Sequence, residues 1–317
     1  MITEPEILIL TSKYDTSCDF VILKLFNKKV KYLRLNKEDY QDFYLTLDPV
    51  SCVVEGYSEK LSFRITQDSL KSIWYRRPTF LRKIDLNTED VSVYFEKYQW
   101  MTFTRSFIIF EKSKWINHPT ATFSAENKPY QIKIASELGF DIPKTIITNS
   151  SSSFHKYFND MDVLVVKSLD TFHFRDKKRE YFAYTKMYNK EYITSSILTS
   201  APAIFQQPLL NKIDIRVTVI GNEVFAISIT DRGKPIEGDW RLLKDRAVYK
   251  EYNLPSDIKE KCVNLTANLG LLYGAIDLAL VDNKYYFLEI NPTGEWAWID
   301  QHTNFRLDEK IADLLIG

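Results

Sequence analysis

The segment GAIDLALVDNKYYFLEINPTGEW, residues 274–296, constrains this chain more than any other. Two apolar runs, GAIDLALV and KYYFLEIN, flank Asp282-Asn283 in a hairpin. Those runs nevertheless carry Asp277, Glu289 and Asn291 among Leu, Ile, Phe and Tyr. A buried charge is costly unless it is paired or holds a metal, so something is expected to meet these carboxylates. The hairpin register decides where they point. A two-residue loop sets Asp277 opposite Leu288 and turns Asp277 and Glu289 to opposite faces. A three-residue loop, 282–284, pairs Val281 with Tyr285 and therefore Asp277 with Glu289. Strand alternation then brings Asn291 to the same face.

On the second register the three side chains form an all-oxygen cluster suited to a hard cation such as magnesium. That ion usually takes one or two carboxylates and completes its shell with water and phosphates, which implies a nucleotide. The plainer alternative leaves Asp277 as a polar residue near a turn and Glu289 in solvent. Two lysines are placed to meet phosphates. Lys128 opens a helix, whose first-turn N–H groups favour anions. Lys167 ends an apolar strand, where a long stem with a charged tip is unusual unless it reaches a site. Either alone also reads as an ordinary surface lysine.

Other features mainly exclude. Lys plus Arg equals Asp plus Glu at 42 each, so no basic footprint for nucleic acid exists. Three widely spaced cysteines fit a reducing compartment, as small core residues, and four scattered histidines give no zinc spacing. MITEPEILIL has acids where a signal peptide wants positive charge, and no run of about 18 apolar residues occurs. The expectation is a soluble cytoplasmic protein with no membrane partner.

Along the chain, EILIL, CDFVILKLF and VKYLRLN predict a β-α-β opening and an α/β domain. SIWYRRP is a strand ending in Arg76 and Arg77. Residues 88–110 read as one long amphipathic helix. KPYQIKIASELG is a helix capped by Asn127, NSSSS at 149–153 a polar loop, and MDVLVVKSL a strand. Residues 170–180 read as a basic loop containing His173, Arg175, Lys177, Lys178 and Arg179. IDIRVTVIGNEVFAISI is a hairpin turning at Gly221-Asn222, and PSDIKEKCVNLTANLG a helix.

Several segments carry a resemblance: SIWYRRP, ENKPYQIKIASELGFDIPKTIITN, VVKSL, IFQQPL, DIRVTVIGNEVFA, GDWR and the final hairpin through NPTGEWAWID. Together they resemble ATP-grasp ligases, and more narrowly the peptide-macrocyclising maturases of the microviridin or graspetide type, including the grasp-with-spasm subgroup. Ribosomal-protein glutamate ligases share the catalytic skeleton. The resemblance implies an α/β ATP-grasp fold with an N-terminal domain over 1–118, a central α+β lobe over 119–205 and a C-terminal antiparallel lobe over 206–317. ATP would lie between the last two.

Residue by residue, it implies that Lys128 and Lys167 contact the nucleotide phosphates and that backbone groups of Gln207 and Leu209 read the purine edge. Asp214 would hold the ribose. Arg216 and Arg241 would reach the γ-phosphate and an acyl-phosphate intermediate, and Asp277, Glu289 and Asn291 would bind magnesium. A cross-strand charge pair is the plainer role for Arg216, and a turn with a packed Trp240 the plainer role for GDWR. Arg76 and Arg77 either line the substrate side or pair with acids between domains. Many relatives have an acid at the position of Gln207. Many also carry a glycine-containing flap, whereas SLDTFHFRDKKREYFAYT has none.

The implied activity is ATP-dependent activation of Asp or Glu side chains in a ribosomally made precursor peptide with a leader and an acidic core. Thr, Ser or Lys side chains would then close ω-ester or ω-amide rings. Addition of glutamate or another amino acid to a protein or peptide terminus is the competing activity. The resemblance also implies a homodimer.

Overall fold

The computed structural model describes residues 2–76, 90–169, 173–175, 180–182 and 186–317; Arg77 and 177–179 lie outside the described residues. The chain opens with strands β1 (Ile2–Thr3) and β2 (Ile7–Thr11), helix α1 (Thr16–Asn27) and strand β3 (Tyr32–Asn36). β2 and β3 are parallel, which is the β-α-β opening expected. Strands β4 (Tyr44–Asp48), β5 (Val53–Tyr57) and β6 (Ser62–Thr66) form a meander whose last strand runs parallel to β1. Strand β7 (Ser72–Tyr75) returns beside β2. Helix α2 (Val91–Arg105) follows, and β8 (Lys114–Ile116) completes a parallel sheet of order β3-β2-β7-β8. The helix expected over 88–110 is shorter: Asp90 caps it by accepting the Ser92 N–H, and it tightens into a 3-10 turn at Ser106–Ile109.

Helices α3 (Pro119–Ala125) and α4 (Lys128–Glu137) come next, and the Asn127 side chain accepts the Tyr130 N–H at 3.0 Å as the capping reading expected. Strand β9 (Thr145–Thr148) precedes α5 (Ser151–Tyr157). The polar loop expected at 149–153 is thus largely helix. Ser150 caps it by accepting the Ser153 N–H, and buried Phe154 anchors it against Phe205. Strand β10 (Val163–Lys167) ends at Lys167. Beyond it the backbone of β11 (His173–Arg175) pairs antiparallel with β12 (Glu180–Phe182), a hairpin where a loop was expected. Strand β13 (Lys186–Asn189), helix α6 (Ser195–Ser200) and strand β14 (Ala203–Gln206) complete an antiparallel sheet of order β13-β10-β14-β9.

The last sheet is built from β15 (Ile213–Ile220), β16 (Glu223–Asp231), β17 (Ala247–Glu251), β18 (Tyr273–Val281) and β19 (Lys284–Asn291), with α7 (Ser256–Asn268) between β17 and β18. Its order is β17-β16-β15-β18-β19, antiparallel throughout. Alternation divides β15 cleanly. Ile215, Val217 and Val219 pack with Ile258, Cys262 and Leu265 of α7. The intervening Asp214, Arg216 and Thr218 are buried on the opposite face. Short helices α8 (Ala297–Asp300) and α9 (Leu307–Ile316) fold back onto α1, so that Ile7, Val21 and Trp74 share one apolar cluster with Ile229, Trp296 and Leu315.

The β18–β19 hairpin reaches the expected pairing by a different route. Its loop has two residues, with Asp282 and Asn283 both left-handed at φ 48° and 61°, and Val281 pairs with Lys284 rather than Tyr285. That register alone would turn Glu289 away from Asp277. A bulge intervenes: Leu278 pairs with Phe287, yet Asp277 pairs with Glu289, leaving Leu288 as the extra residue.

Cys18 and Cys262 are buried as expected, whereas Cys52 is only half-buried, on a turn at φ 53°. Among the described residues, no helix is long and apolar enough to cross a membrane.

Candidate active site

The polar face of β15 and β18 forms one wall of a cavity of about 800 Å³, counting the open space at its mouth. Eight of the residues singled out from sequence line it: Lys167, Gln207, Leu209, Asp214, Arg216, Arg241, Asp277 and Glu289. Asn291 stands one step along β19, its Nδ2 donating to Glu289 Oε1 at 3.3 Å. The bulge explains a feature that plain alternation forbids. Neighbouring residues Leu288 and Glu289 both line the cavity, so one short segment offers an apolar surface and a carboxylate side by side.

Arg216 and Arg241 divide the Asp277 carboxylate between them. Arg216 Nη1 donates to Oδ1 at 2.9 Å, and Arg241 Nη2 to Oδ2 at 3.2 Å; Arg241 also reaches Glu289 Oε1 at 3.4 Å. Arg216 therefore does form a cross-strand charge pair, but with a cavity carboxylate. Burial opposes the charge on Asp277, yet the two guanidinium groups hold its carboxyl below the ordinary range. GDWR likewise serves packing and site together. Asp239 caps a 3-10 turn by accepting the Arg241 N–H, Trp240 packs 5.4 Å from Trp298, and the Arg241 guanidinium lies 5.2 Å from the Trp240 ring centroid.

Three lysines converge on the same region. Enclosure in the site lowers the Lys167 pKa; Lys128 and Lys212 push it further down, while Glu289 and Asp277 oppose them. Lys128 does not line the cavity; its Nζ donates to the Ser168 carbonyl at 3.0 Å, just past β10. Lys212 was not singled out from sequence. It is buried and ion-paired with both oxygens of Asp214, and burial still pushes that carboxyl up to about 6. Its signal was a lysine two positions before an aspartate at a strand entry, which puts both on one face. Just past β14, the Gln207 N–H already donates to the Lys144 carbonyl at 2.9 Å. Of its backbone groups, the carbonyl is left to face a ligand.

The turn after β19 is built into the site. A Cβ on Gly294 would lie 2.4 Å from Ala275 Cβ and 2.8 Å from Arg216 Nη2, so only glycine lets NPTGEW pass this close. Arg76 holds the same turn from the N-terminal side. It donates to the Thr293 carbonyl at 2.6 Å and to Glu295 Oε2 at 2.8 Å, and its Nε lies 3.5 Å from Asp15 Oδ2. At 3% exposure it pairs with acids instead of lining a substrate surface.

Among the described residues no cluster of three or more His, Cys, Asp or Glu side chains is placed to hold a metal. A cation here would rely on two carboxylates and the Asn291 amide oxygen, a hard donor set that fits magnesium. The Arg241 guanidinium lying against both carboxylates shows that the pair accommodates positive charge.

Among curated protein sequences, no relative matches the chain. Among solved structures, a Chryseobacterium gregarium RiPP-associated ATP-grasp ligase in complex with ADP and a leader and core peptide is 25% identical. It superposes with a TM-score of 0.85 over 99% of this chain and 97% of its own. Macrocyclase MdnC from Microcystis aeruginosa, bound with precursor peptide MdnA, gives 22% identity and a TM-score of 0.83 over 98% and 99%. The ATP-grasp ligase PsnB with a phosphomimetic variant of its minimal precursor, Mg and ADP gives 16% and 0.75 over 99% and 98%. Each shares the fold of this chain from end to end. The family model for the RimK-like ATP-grasp domain matches residues 125–315, a span that holds every cavity residue described above, and the chain belongs to that family.

Proposed function

We propose that this protein is an ATP-dependent, magnesium-requiring ligase that closes rings in a ribosomally made precursor peptide. The observation that carries the reading is the ordered charge of the cavity. Arg216 and Arg241 share the carboxylate of Asp277, Arg241 extends to Glu289, and Lys167 and Lys212 line the same space. Such a wall suits a polyphosphate and its metal. Three similar structures carry precursor peptides, which supports a peptide substrate here. On this reading the chain divides into units at about 1–118, 119–205 and 206–317, and the nucleotide sits between the last two.

The chemistry follows from the leaving group. A carboxylate and an alcohol or amine do not condense in water, because hydroxide leaves poorly. Transfer of the ATP γ-phosphate to a substrate Asp or Glu side chain yields an acyl phosphate and ADP. Attack by a Thr or Ser hydroxyl, or a Lys amine, forms the ester or amide and expels phosphate. Lys128 and Lys167 would bind the phosphates, Asp214 the ribose, and the Gln207 carbonyl with a Leu209 backbone group the purine edge. Arg216 and Arg241 would neutralise charge as the γ-phosphate moves. Magnesium held by Asp277, Glu289 and Asn291 would supply further charge neutralisation. Holding both reacting side chains in one bound peptide supplies the proximity that ring closure needs.

The second reading, addition of glutamate or another amino acid to a protein or peptide terminus, rests on the resemblance to ribosomal-protein glutamate ligases, which share the catalytic skeleton. One experiment separates the two. An acidic precursor peptide incubated with the protein, ATP and magnesium should lose one water per ring, with ADP formed in step. Added amino-acid masses would establish the competing activity. Glu289→Gln provides the control: a ligase loses turnover, whereas a nucleotide-binding module loses only affinity.

A further inference from the structure

Helix α4 grips both sides of the cavity region. Lys128, its first residue, bonds the Ser168 carbonyl beyond β10. One turn on, Gln131 is 3% exposed and reaches β19. Its Oε1 accepts the Ile290 N–H at 3.1 Å, and its Nε2 donates to the Ile290 carbonyl at 2.9 Å and to the Ala125 carbonyl at 2.6 Å. These partners fix which end of the amide is which. The side chain thus acts as a substitute strand, filling both backbone groups of one residue on the outer edge of the sheet.

That residue lies between Glu289 and Asn291. The Ile290 side chain is buried in the cluster formed with α7, and Glu289, its neighbour in the strand, lines the cavity. Ile290 is therefore held at its N–H, its carbonyl and its side chain.

We infer that Gln131 is a positioning residue for the metal–phosphate site, fixing the backbone that sets the spacing of the Glu289 and Asn291 donors. This role rests on the nucleotide reading above. Placing Gln131 and Lys128 on one helix also ties the position of those donors to that of Lys128, a proposed phosphate contact. A leucine would fill the same space with no polar group, and a glutamate could accept from Ile290 N–H but would face two carbonyl oxygens.

The test compares Gln131→Leu and Gln131→Glu with the unaltered protein, using Mn²⁺ as probe. Mn²⁺ binding in the presence of saturating ADP is read by electron paramagnetic resonance, and ADP binding is measured separately in EDTA. Loss of a residue that orients metal ligands typically weakens metal binding by about 10–100-fold. Both variants should therefore bind Mn²⁺ at least about tenfold more weakly, with metal-free ADP affinity within about twofold. Gln131→Glu, the same size and shape, keeps the test open if Gln131→Leu fails to fold. Unchanged Mn²⁺ affinity in a folded variant would overturn the role, as would equal losses with and without metal, which mark general scaffolding. If the unaltered protein takes up no Mn²⁺ with ADP, the nucleotide reading fails and this role with it. That outcome is distinct from a clamp that fails while the unaltered protein binds.

Discussion

Arg216 and Asp277 are register partners on adjacent antiparallel strands, and the ion pair between them is almost wholly buried, at 5% and 7% exposure. Removing one member leaves the other charged and enclosed, which costs about 3–5 kcal/mol. Asp277→Asn and Arg216→Met should each lose stability on that order in urea denaturation and abolish ADP release. Replacing both by apolar residues should recover much of the stability and none of the turnover. Single variants within about 1 kcal/mol of the parent would show that the pair is better solvated than its burial implies.

Leu288 exposes an apolar side chain to the cavity because the bulge lets it share a face with Glu289. Leu288→Ala should weaken nucleotide binding by about 1–2 kcal/mol, roughly 5–30-fold, through lost apolar contact. The magnesium dependence of that binding should not move. Isothermal titration with ADP, at several magnesium concentrations, reads both.

Asp214 gives the stability a pH signature. Burial raises its pKa to about 6, so between the ordinary carboxylate value and that point the folded chain holds a proton that the unfolded chain has released. Stability from this group is present at low pH and is lost as pH rises through about 4–6, on the order of 3 kcal/mol in all. Asp277 has the opposite sign: its contribution is present above the ordinary range and is lost as pH falls through its lowered pKa. Asp214→Asn should therefore remove a downward slope between pH 4 and 6 in urea midpoints, whatever its effect on absolute stability. Parallel curves for the two proteins would contradict this account.

Arg76 should behave as a structural residue. Its bonds join Asp15 near α1 to the turn at Thr293 and Glu295. Arg76→Lys loses the fork that spans these groups and should cost about 3 kcal/mol. ADP affinity of the folded fraction should stay within twofold. A selective loss of nucleotide or peptide binding at full stability would return Arg76 to the substrate side.

What the sequence revealed divides by distance along the chain. The Asn127 cap and the Gly221 turn are local, and both were legible from their own neighbours. Asp277 and Glu289 were legible as a pair because burial demanded a partner, but the route to their pairing was not. A two-residue turn and a bulge give the same result as a three-residue turn, and a bulge leaves little local signal. The serines at 149–153 were misread because serine is a weak helix former; the Phe154–Phe205 contact that stabilises the helix reaches across β10, the β11–β12 hairpin, β13 and α6 in sequence. Gln131 carried no signal of its own within the helix KPYQIKIASELG. Its partner Ile290 lies 159 positions away, and no spacing rule connects them.

β19 is an edge strand, and edges invite a second chain to lie down beside them. Here that invitation is withdrawn. Gln131 occupies the N–H and carbonyl of Ile290, and Asp141 takes the Phe287 N–H at 2.9 Å. With those three groups taken, the stretch of β19 around Glu289 is a poor template for strand addition. On the ligase reading proposed above, a bound peptide would meet this stretch through its side chains, leaving its own backbone free to bend.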